Sequence, residues 1–264
     1  MQIKRPFIFM LRLGKKAVDD DLFALSNELA YKILLSFFPF IVFLVSLLGF
    51  LNLEDSPTAA RLFEVLPADV ESVVENFIAE IRSRPSPGLL SASLLVSIYS
   101  ASNGFRAVIR GVNKAHGYND DRSWIKKTAL CAGMMLIFSF SIIVMLVFWI
   151  FSSAIFAMLP FPFMKLISAA ISLTVLVGST AWMYWLACAR RGKGKILPGA
   201  CVTVVLWSIS SEIFGIFINR FSNISVIYGS IAGVFILVLW LNIISFILLL
   251  GNSVNAILNH HSPL

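Results

Sequence analysis

Residues 166–189 read LISAAISLTVLVGSTAWMYWLACA, a run of 24 residues without a single Asp, Glu, Lys or Arg. The hydrocarbon core of a bilayer is about 30 Å thick, so a helix of about 20 apolar residues crosses it. A buried strand is much shorter than this run, and the alternation of polar and apolar residues typical of a membrane barrel is missing. The stretch therefore predicts a transmembrane helix.

The composition of the whole chain agrees with that prediction. Of its 264 residues, 58% are hydrophobic and only 13% are charged, and the mean hydropathy is +0.87. Soluble domains carry about 25% charged residues, and half that amount cannot cover a soluble globule of this size. Disorder is excluded too, because it requires low hydrophobicity. The sequence predicts an all-α, polytopic membrane protein with one integral membrane domain over residues 1–264.

Five further stretches share the length and apolar character of residues 166–189, which gives six predicted transmembrane helices. An acidic segment, the outer loop of residues 52–88, separates the first two. Val70, Val73 and Phe77 recur there at helical spacing, which favours two short amphipathic helices in this loop. Another amphipathic helix is predicted at the N-terminus, over residues 6–16. The six spans are residues 29–51, 89–105, 129–159, 166–189, 196–219 and 227–258, all with approximate ends.

The distribution of Lys and Arg predicts the orientation of these spans. The N-terminal segment, the loop after the second span and the loop after the fourth span together hold 15 Lys and Arg, whereas the opposite side holds five. Short loops rich in Lys and Arg stay in the cytoplasm. Both termini are therefore predicted to be cytoplasmic, with residues 52–88 facing outward.

Polar residues inside the predicted spans are the candidate site, because such groups are costly in a bilayer and commonly functional. Glu28 and Lys32 lie four residues apart, so they share a helix face and can pair. Glu212 falls near the middle of the fifth span, where it is neutral, paired with Lys32 or in contact with a wet cavity. The alternative is that most of the small polar residues only pack helices together. The full candidate set is Glu28, Lys32, Ser36, Ser97, Ser100, Asn103, Glu212, Asn219 and Asn242.

Sequence signatures of enzymes are missing from the chain. It contains three histidines and none of the HxHxD or HExxH spacings that bind catalytic metals. It also has no P-loop, no GxSxG elbow and no dinucleotide fingerprint. The basic residues 190–195 act more simply as a topology determinant than as a phosphate-binding loop. We expect no catalytic residues, no cofactor, no metal and no nucleic-acid partner.

Several short segments, in order along nearly the whole chain, resemble the motifs of one family. They are LAY at residues 29–31 with Ser36, Phe38 and Pro39; SASNGFR at residues 100–106 with Asn113 and Tyr118; and PGA at residues 198–200, YGS at residues 228–230, Trp240, Gly251 and Asn255. On these segments the chain resembles the YihY/BrkB family of bacterial inner-membrane proteins, formerly mislabelled ribonuclease BN. Ser253 stands where the family motif has an acidic residue, and Asn242 stands at a usually aromatic position. An ion-binding role of that acid is therefore not carried over.

The resemblance implies a multi-pass membrane protein with links to envelope integrity, serum resistance and transport of lipids or lipid A precursors. Together with the intramembrane polar residues, it predicts a transporter or flippase-like protein that handles a lipid or another amphiphile in envelope biogenesis. The alternative is a non-catalytic scaffold or accessory subunit that binds an envelope protein through residues 52–88. Membrane lipids are partners in both hypotheses, and ribonuclease activity is in neither.

Overall fold

The computed structural model describes residues 4–50, 87–134, 137, 140–141, 162–189, 194–220 and 230–260. Side chains within residues 4–7, 37–50, 162–168, 219–220 and 230–232, together with several near the start of the third helix, are outside the description. The predicted outer-loop helices of residues 52–88 lie almost wholly outside it. So does most of the predicted span 129–159.

The described residues form seven helices and short connections, with no strand among them. This confirms the predicted all-α class. The helices are α1 (Lys4–Asp19), α2 (Leu22–Phe50), α3 (Pro87–His116), α4 (residues 124–134, with 137, 140 and 141 also helical), α5 (Pro162–Ala187), α6 (Leu197–Arg220) and α7 (Ser230–His260).

Three stretches of these helices are long and apolar enough to cross a membrane among the residues described: Ala169–Ala187, Leu197–Ile218 and Phe235–Asn259. They fall within the predicted spans 166–189, 196–219 and 227–258. The predicted spans 29–51 and 89–105 coincide with parts of α2 and α3. A membrane protein is therefore supported, whereas the number six remains a prediction.

The prediction that Arg106, Arg110 and Lys114 occupy a loop is wrong, because α3 continues to His116. Apolar side chains in that part of α3 account for the difference: Val108, Ile109 and Val112 are all at most 3% exposed. Their burial stabilises further helical turns although charged residues interrupt the apolar sequence. α2 likewise begins at Leu22, well before the predicted start at residue 29.

The predicted N-terminal helix is present, and a tight corner joins it to α2. α1 exposes Met10 and Leu11. Asp21 adopts a left-handed backbone with φ of 52°, a conformation that Asp tolerates better than most residues. The N–H of Asp21 donates to the carbonyl of Val18 at 3.0 Å. The corner lets Ala17 and Leu22 pack together against Leu249 of α7.

The chain divides into two compact units. Unit 1 comprises residues 1–29, 105–216 and 242–264, and unit 2 comprises residues 30–104 and 217–241. The buried core described for unit 1 combines the α1–α2 corner with the later parts of α3, α5 and α7 and the first half of α6. In unit 2, large side chains such as Tyr31, Leu95, Tyr99 and Phe235 are exposed, as lipid-facing side chains would be.

Candidate functional site

Two ion pairs join the start of α2 to the later part of α3 in unit 1. Arg110 donates to the carboxylate of Glu28, and Lys114 Nζ lies 2.9 Å from Asp21 Oδ2. Arg110 and Lys114 are one turn apart on α3, so both pairs lie along the same face. All four side chains are at least one-third exposed, and such pairs contribute little to stability. Glu28 thus has Arg110 as a described partner.

The other predicted site residues are distributed over both units. Asn242 donates to the side-chain oxygen of Asn27 within unit 1. In unit 2, the Ser36 hydroxyl donates to the carbonyl of Ile33 in its own helix at 2.7 Å, and Lys32 and Asn103 are half-buried. The side chains of Ser97, Ser100 and Asn219 are outside the described residues.

Glu212 is exposed on α6, beside a row of exposed isoleucines. Ile209, Ile213 and Ile216 on this helix are between 50% and 62% exposed. No ion pair to Glu212 occurs among the described residues. A carboxylate at that depth requires water, a polar headgroup or a polar partner. Among the predicted site residues, Glu212 is therefore the one that most clearly requires a polar group or water beside it.

The end of α5 is capped by side chains from α3 and from the following connection. Asn113 donates to the carbonyl of Ala187 at 2.9 Å and accepts from the N–H of Ala189 at 2.7 Å. Arg122 donates to the carbonyls of Leu186 and Ala187 at 3.2 and 2.8 Å. A cation is favourable at a helix C-terminus, whose last carbonyls lack partners within the helix. This cap ends α5 at Ala187, two residues before the predicted end of the span.

Asp120 holds the capping arginine in place. Its carboxylate accepts from Arg122 Nε at 2.6 Å and from Nη2 at 3.0 Å, an arrangement with two parallel bonds. Burial raises the pKa of Asp120, but the hydrogen bonds and charge of Arg122, with the charge of Lys127, outweigh it. The pKa of Asp120 is consequently below its ordinary value.

α6 and α7 pack closely where two glycines meet. A Cβ atom on Gly251 would lie inside van der Waals distance of Thr203 Oγ1 and 2.7 Å from the carbonyl oxygen of Gly199. Asn255 accepts a hydrogen bond from the N–H of Gly199 at 2.6 Å. Small residues let helix backbones approach closely in membranes, and a polar side chain then joins them. The α6–α7 crossing is built in this way.

Tyr184 of α5 connects to this crossing. Its hydroxyl lies 2.7 Å from Thr203 Oγ1 and donates to the carbonyl of Leu248 at 2.5 Å. Thr203 in turn donates to the carbonyl of Gly199 at 2.9 Å. Tyr184 is 2% exposed and Thr203 is fully buried. One side chain thus joins α5, α6 and α7 in the interior of unit 1.

A row of polar side chains runs along the second half of α7: Asn242, Ser245, Asn252 and Asn255, which we call the α7 polar row. The last three are each 1% exposed. The hydroxyl of Ser245, Oδ1 of Asn252 and Nδ2 of Asn255 have no hydrogen-bond partner in the described part of the chain. Buried polar groups without partners cost free energy in a span, so each is a place where water or a polar ligand would be stabilised.

Sequence reasoning missed Tyr184 and Thr203 as parts of a polar interior. Both stand in apolar runs, and nothing in their spacing separates them from lipid-facing residues. Asn113, Gly199, Gly251 and Asn255 carried a signal, because each belongs to a motif on which the family resemblance rests. Their roles follow only from the structure: Asn113 caps α5, and the other three form the α6–α7 crossing.

The described residues contain no cluster of three or more His, Cys, Asp or Glu side chains that could hold a metal ion. The polar interior of unit 1 consists of amides, hydroxyls and backbone groups. The described groups at the α6–α7 crossing can hydrogen-bond and can orient a polar ligand, and no pair of carboxylates lies among them.

Comparison with known families agrees with the motifs. The family model described as virulence factor BrkB matches residues 13–263, which is nearly the whole chain. The chain belongs to the BrkB family. The match spans both the α5 cap and the α6–α7 crossing, so these features lie inside the family region of the sequence.

A curated relative is similar over most of its length. The ribonuclease-like protein YfkH of Bacillus subtilis (strain 168) is 29% identical to this chain over 249 residues, which is 90% of each protein. No solved structure matches this BrkB-family chain.

Proposed function

We propose that this BrkB-family membrane protein handles a lipid or another amphiphile in bacterial envelope biogenesis, as a transporter or flippase-like protein. The observation that carries the proposal is the α7 polar row in the stretch Phe235–Asn259, whose buried polar atoms have no hydrogen-bond partner among the described residues. A helix that only packs or faces lipid gains nothing from such groups, because each costs about 1–3 kcal/mol when left without a partner. Transient contact with water or a headgroup offsets that cost.

Glu212 supports the same proposal from a second helix. It is the one acidic residue of α6, and it is exposed among isoleucines in a stretch otherwise suited to lipid. A charge in that position favours a local polar path, which a translocated headgroup requires. The proposal therefore assigns Glu212 and the α7 polar row to the polar surface along which the amphiphile moves.

Lipid translocation in proteoliposomes tests this function. The purified protein would be reconstituted with fluorescent phospholipids, and dithionite bleaching would measure their transfer between leaflets. We expect Glu212→Ala and Asn252→Ala to slow transfer about tenfold. Thr174→Ala is the matched control, because its exposed hydroxyl donates to the carbonyl of Ala170 in its own helix, α5, at 2.7 Å, and α5 carries neither Glu212 nor the α7 polar row. Equal rates for empty liposomes and the wild-type protein would refute the proposal.

A scaffold role is the second candidate, and a sequence observation favours it. Residues 52–87 hold seven Asp and Glu against three Arg, with an amphipathic pattern suited to a protein partner. Crosslinking from Phe77 or Ile81 should then capture an envelope protein. Deletion of the loop without a cellular phenotype would exclude this role.

Nuclease assays of the purified protein with divalent metals should show no hydrolysis of RNA.

Both roles depend on the proposed orientation, with both termini in the cytoplasm of a bacterial inner membrane. Single cysteines at Ser72 and Ser262, in a background without the three native cysteines, would be treated with an impermeant reagent in intact cells. The positive-inside rule predicts labelling at Ser72 and none at Ser262. The reverse result would overturn the orientation.

A further inference from the structure

An open pocket of about 370 Å³ lies on unit 1 where α5 ends and α6 begins. Its lining is predominantly apolar and comprises Ala181, Trp182, Trp185, Ile196 and Leu197. Trp182 is 53% exposed and Leu197 is 59% exposed, so the pocket continues into an apolar surface. Its volume is within the range of small-ligand sites in proteins.

The pocket stands at the end of two spans, where a membrane meets water. Ala169–Ala187 ends beside it and Leu197–Ile218 begins beside it. Tryptophan is enriched at this level of a bilayer, because its large apolar ring contacts acyl chains while its N–H contacts the headgroup layer. A ligand in the pocket would therefore place an apolar part toward the bilayer and a polar part toward water.

Lys195 provides positive charge next in the chain to the pocket lining. It directly precedes the lining residues Ile196 and Leu197, and its side chain is exposed. Its backbone is held from both sides by Asn259 of α7, which accepts from the N–H at 2.7 Å and donates to the carbonyl at 3.4 Å. The lysine is thus presented from a fixed backbone position.

A second source of positive potential lies beside the pocket, because Leu197 is the first residue of α6. The N-terminus of a helix of this length carries partial positive charge, although Pro198 has no N–H and the N–H of Gly199 is bound by Asn255. An apolar pocket, interfacial tryptophans, an anchored lysine and a helix N-terminus are together complementary to one class of molecule: an acyl chain joined to an anionic headgroup.

We infer that this pocket is a specific binding site for an anionic phospholipid of the surrounding leaflet. The acyl chain lies against Trp182, Trp185 and Leu197, and the phosphate lies between the Lys195 ammonium and the start of α6. The pocket lining shares no residue with the α7 polar row. It does not depend on the proposed function, because a lipid that stays bound there need not be translocated.

Native mass spectrometry of the purified full-length protein tests the inference. The protein would be titrated with phosphatidylglycerol and, separately, with phosphatidylcholine of the same acyl chains. We expect a preference of about fivefold for phosphatidylglycerol, the effect of one lysine near an anionic lipid. Lys195→Gln should abolish the preference. Lys126→Gln is the matched control, because Lys126 is also exposed and neither lines the pocket nor adjoins a lining residue in the chain, and it should retain the preference.

The pocket itself is tested by filling it or by removing a wall. Ala181→Phe and Trp182→Ala should each weaken binding of both lipids at least threefold, with gel filtration confirming that the variants remain monodisperse. If one variant does not fold, the other decides. Equal affinity for the two lipids in the wild type, or an unchanged preference in Lys195→Gln, would overturn the inference. Failure of lipid transfer in proteoliposomes would refute only the proposed function.

Discussion

α6 and α7 are both apolar enough to span a membrane, yet they use their side chains in opposite ways. In an 18-residue window of α6, 11% of the residues are buried and several isoleucines are exposed, whereas 33% of the residues in the corresponding window of α7 are buried. The most deeply buried part of α7 contains Asn252, Ser253 and Asn255, each at most 1% exposed. In a bilayer, apolar surface gains nothing from burial against protein, so hydrogen bonds and close packing decide which face turns inward.

The largest effect should come from enlarging a glycine at the helix crossing. Gly251→Ala on α7 places a Cβ against Thr203 Oγ1 and the backbone carbonyl of Gly199, which cannot move aside without shifting α6. We expect a loss of about 3 kcal/mol in the free energy of unfolding, at the upper end for overpacking. Unfolding in detergent by increasing denaturant would measure it.

The control for that change lies on α6. Gly215→Ala adds a Cβ that meets no atom within 4 Å. Stability should stay the same or rise slightly, because Ala favours the helix more than Gly does. Equal destabilisation by the two substitutions would contradict the contrast between the two helices.

A smaller effect is expected from removal of one hydrogen bond at the crossing. Asn255→Ala leaves the N–H of Gly199 without its side-chain acceptor in the interior. A buried donor without a partner costs about 1–3 kcal/mol. The same denaturation measurement should show that loss, and Ser208→Ala on the exposed face of α6 should change stability by less than about 0.5 kcal/mol. An Asn255→Ala protein as stable as the wild type would exclude a structural role for this bond.

The cap of α5 predicts a dependence on pH. Because the pKa of Asp120 is lower in the folded protein than its ordinary value of 3.8, the carboxylate stabilises the fold above that pH. The contribution is lost as the pH falls through the folded pKa. Thermal unfolding between about pH 2 and pH 5 should therefore show a weaker acid dependence in Asp120→Asn than in the wild type. Identical pH profiles would disprove the role of Asp120.

The smallest effect is expected at the exposed ion pair of Arg110 and Glu28. Arg110→Gln should lower stability by less than about 1 kcal/mol, because both side chains are in contact with solvent. Added salt should reduce the difference further. Stability would be measured by denaturation at low and high salt. A larger loss would show that the Arg110–Glu28 pair contributes as much as the buried hydrogen bonds around α7, unlike the exposed side chains of α6.

The sequence by itself determined the helical class, the membrane environment and the family. The chain has 13% charged residues, and its apolar runs are longer than a strand. These runs indicate membrane-spanning helices, because every backbone group in a bilayer needs a hydrogen-bond partner within the protein. The same runs located five of the six ends of the three spanning stretches to within three residues. The start of the last stretch differs by eight residues. The family motifs also included residues with structural roles. Asn113 caps α5, and Gly199, Gly251 and Asn255 contact one another at the α6–α7 crossing.

Only the tertiary structure decided which polar residues turn inward. Glu212 and Asn252 both interrupt apolar helices, and the sequence gives no reason to expect one exposed and the other buried. Tyr184 and Thr203 form hydrogen bonds across three helices, although each stands in an unremarkable apolar run. Hydropathy reports the transfer of a residue into the membrane, and lipid and protein interior are equally apolar destinations. Which of the two a face meets depends on contacts between residues distant in the chain, and those exist only in the folded protein.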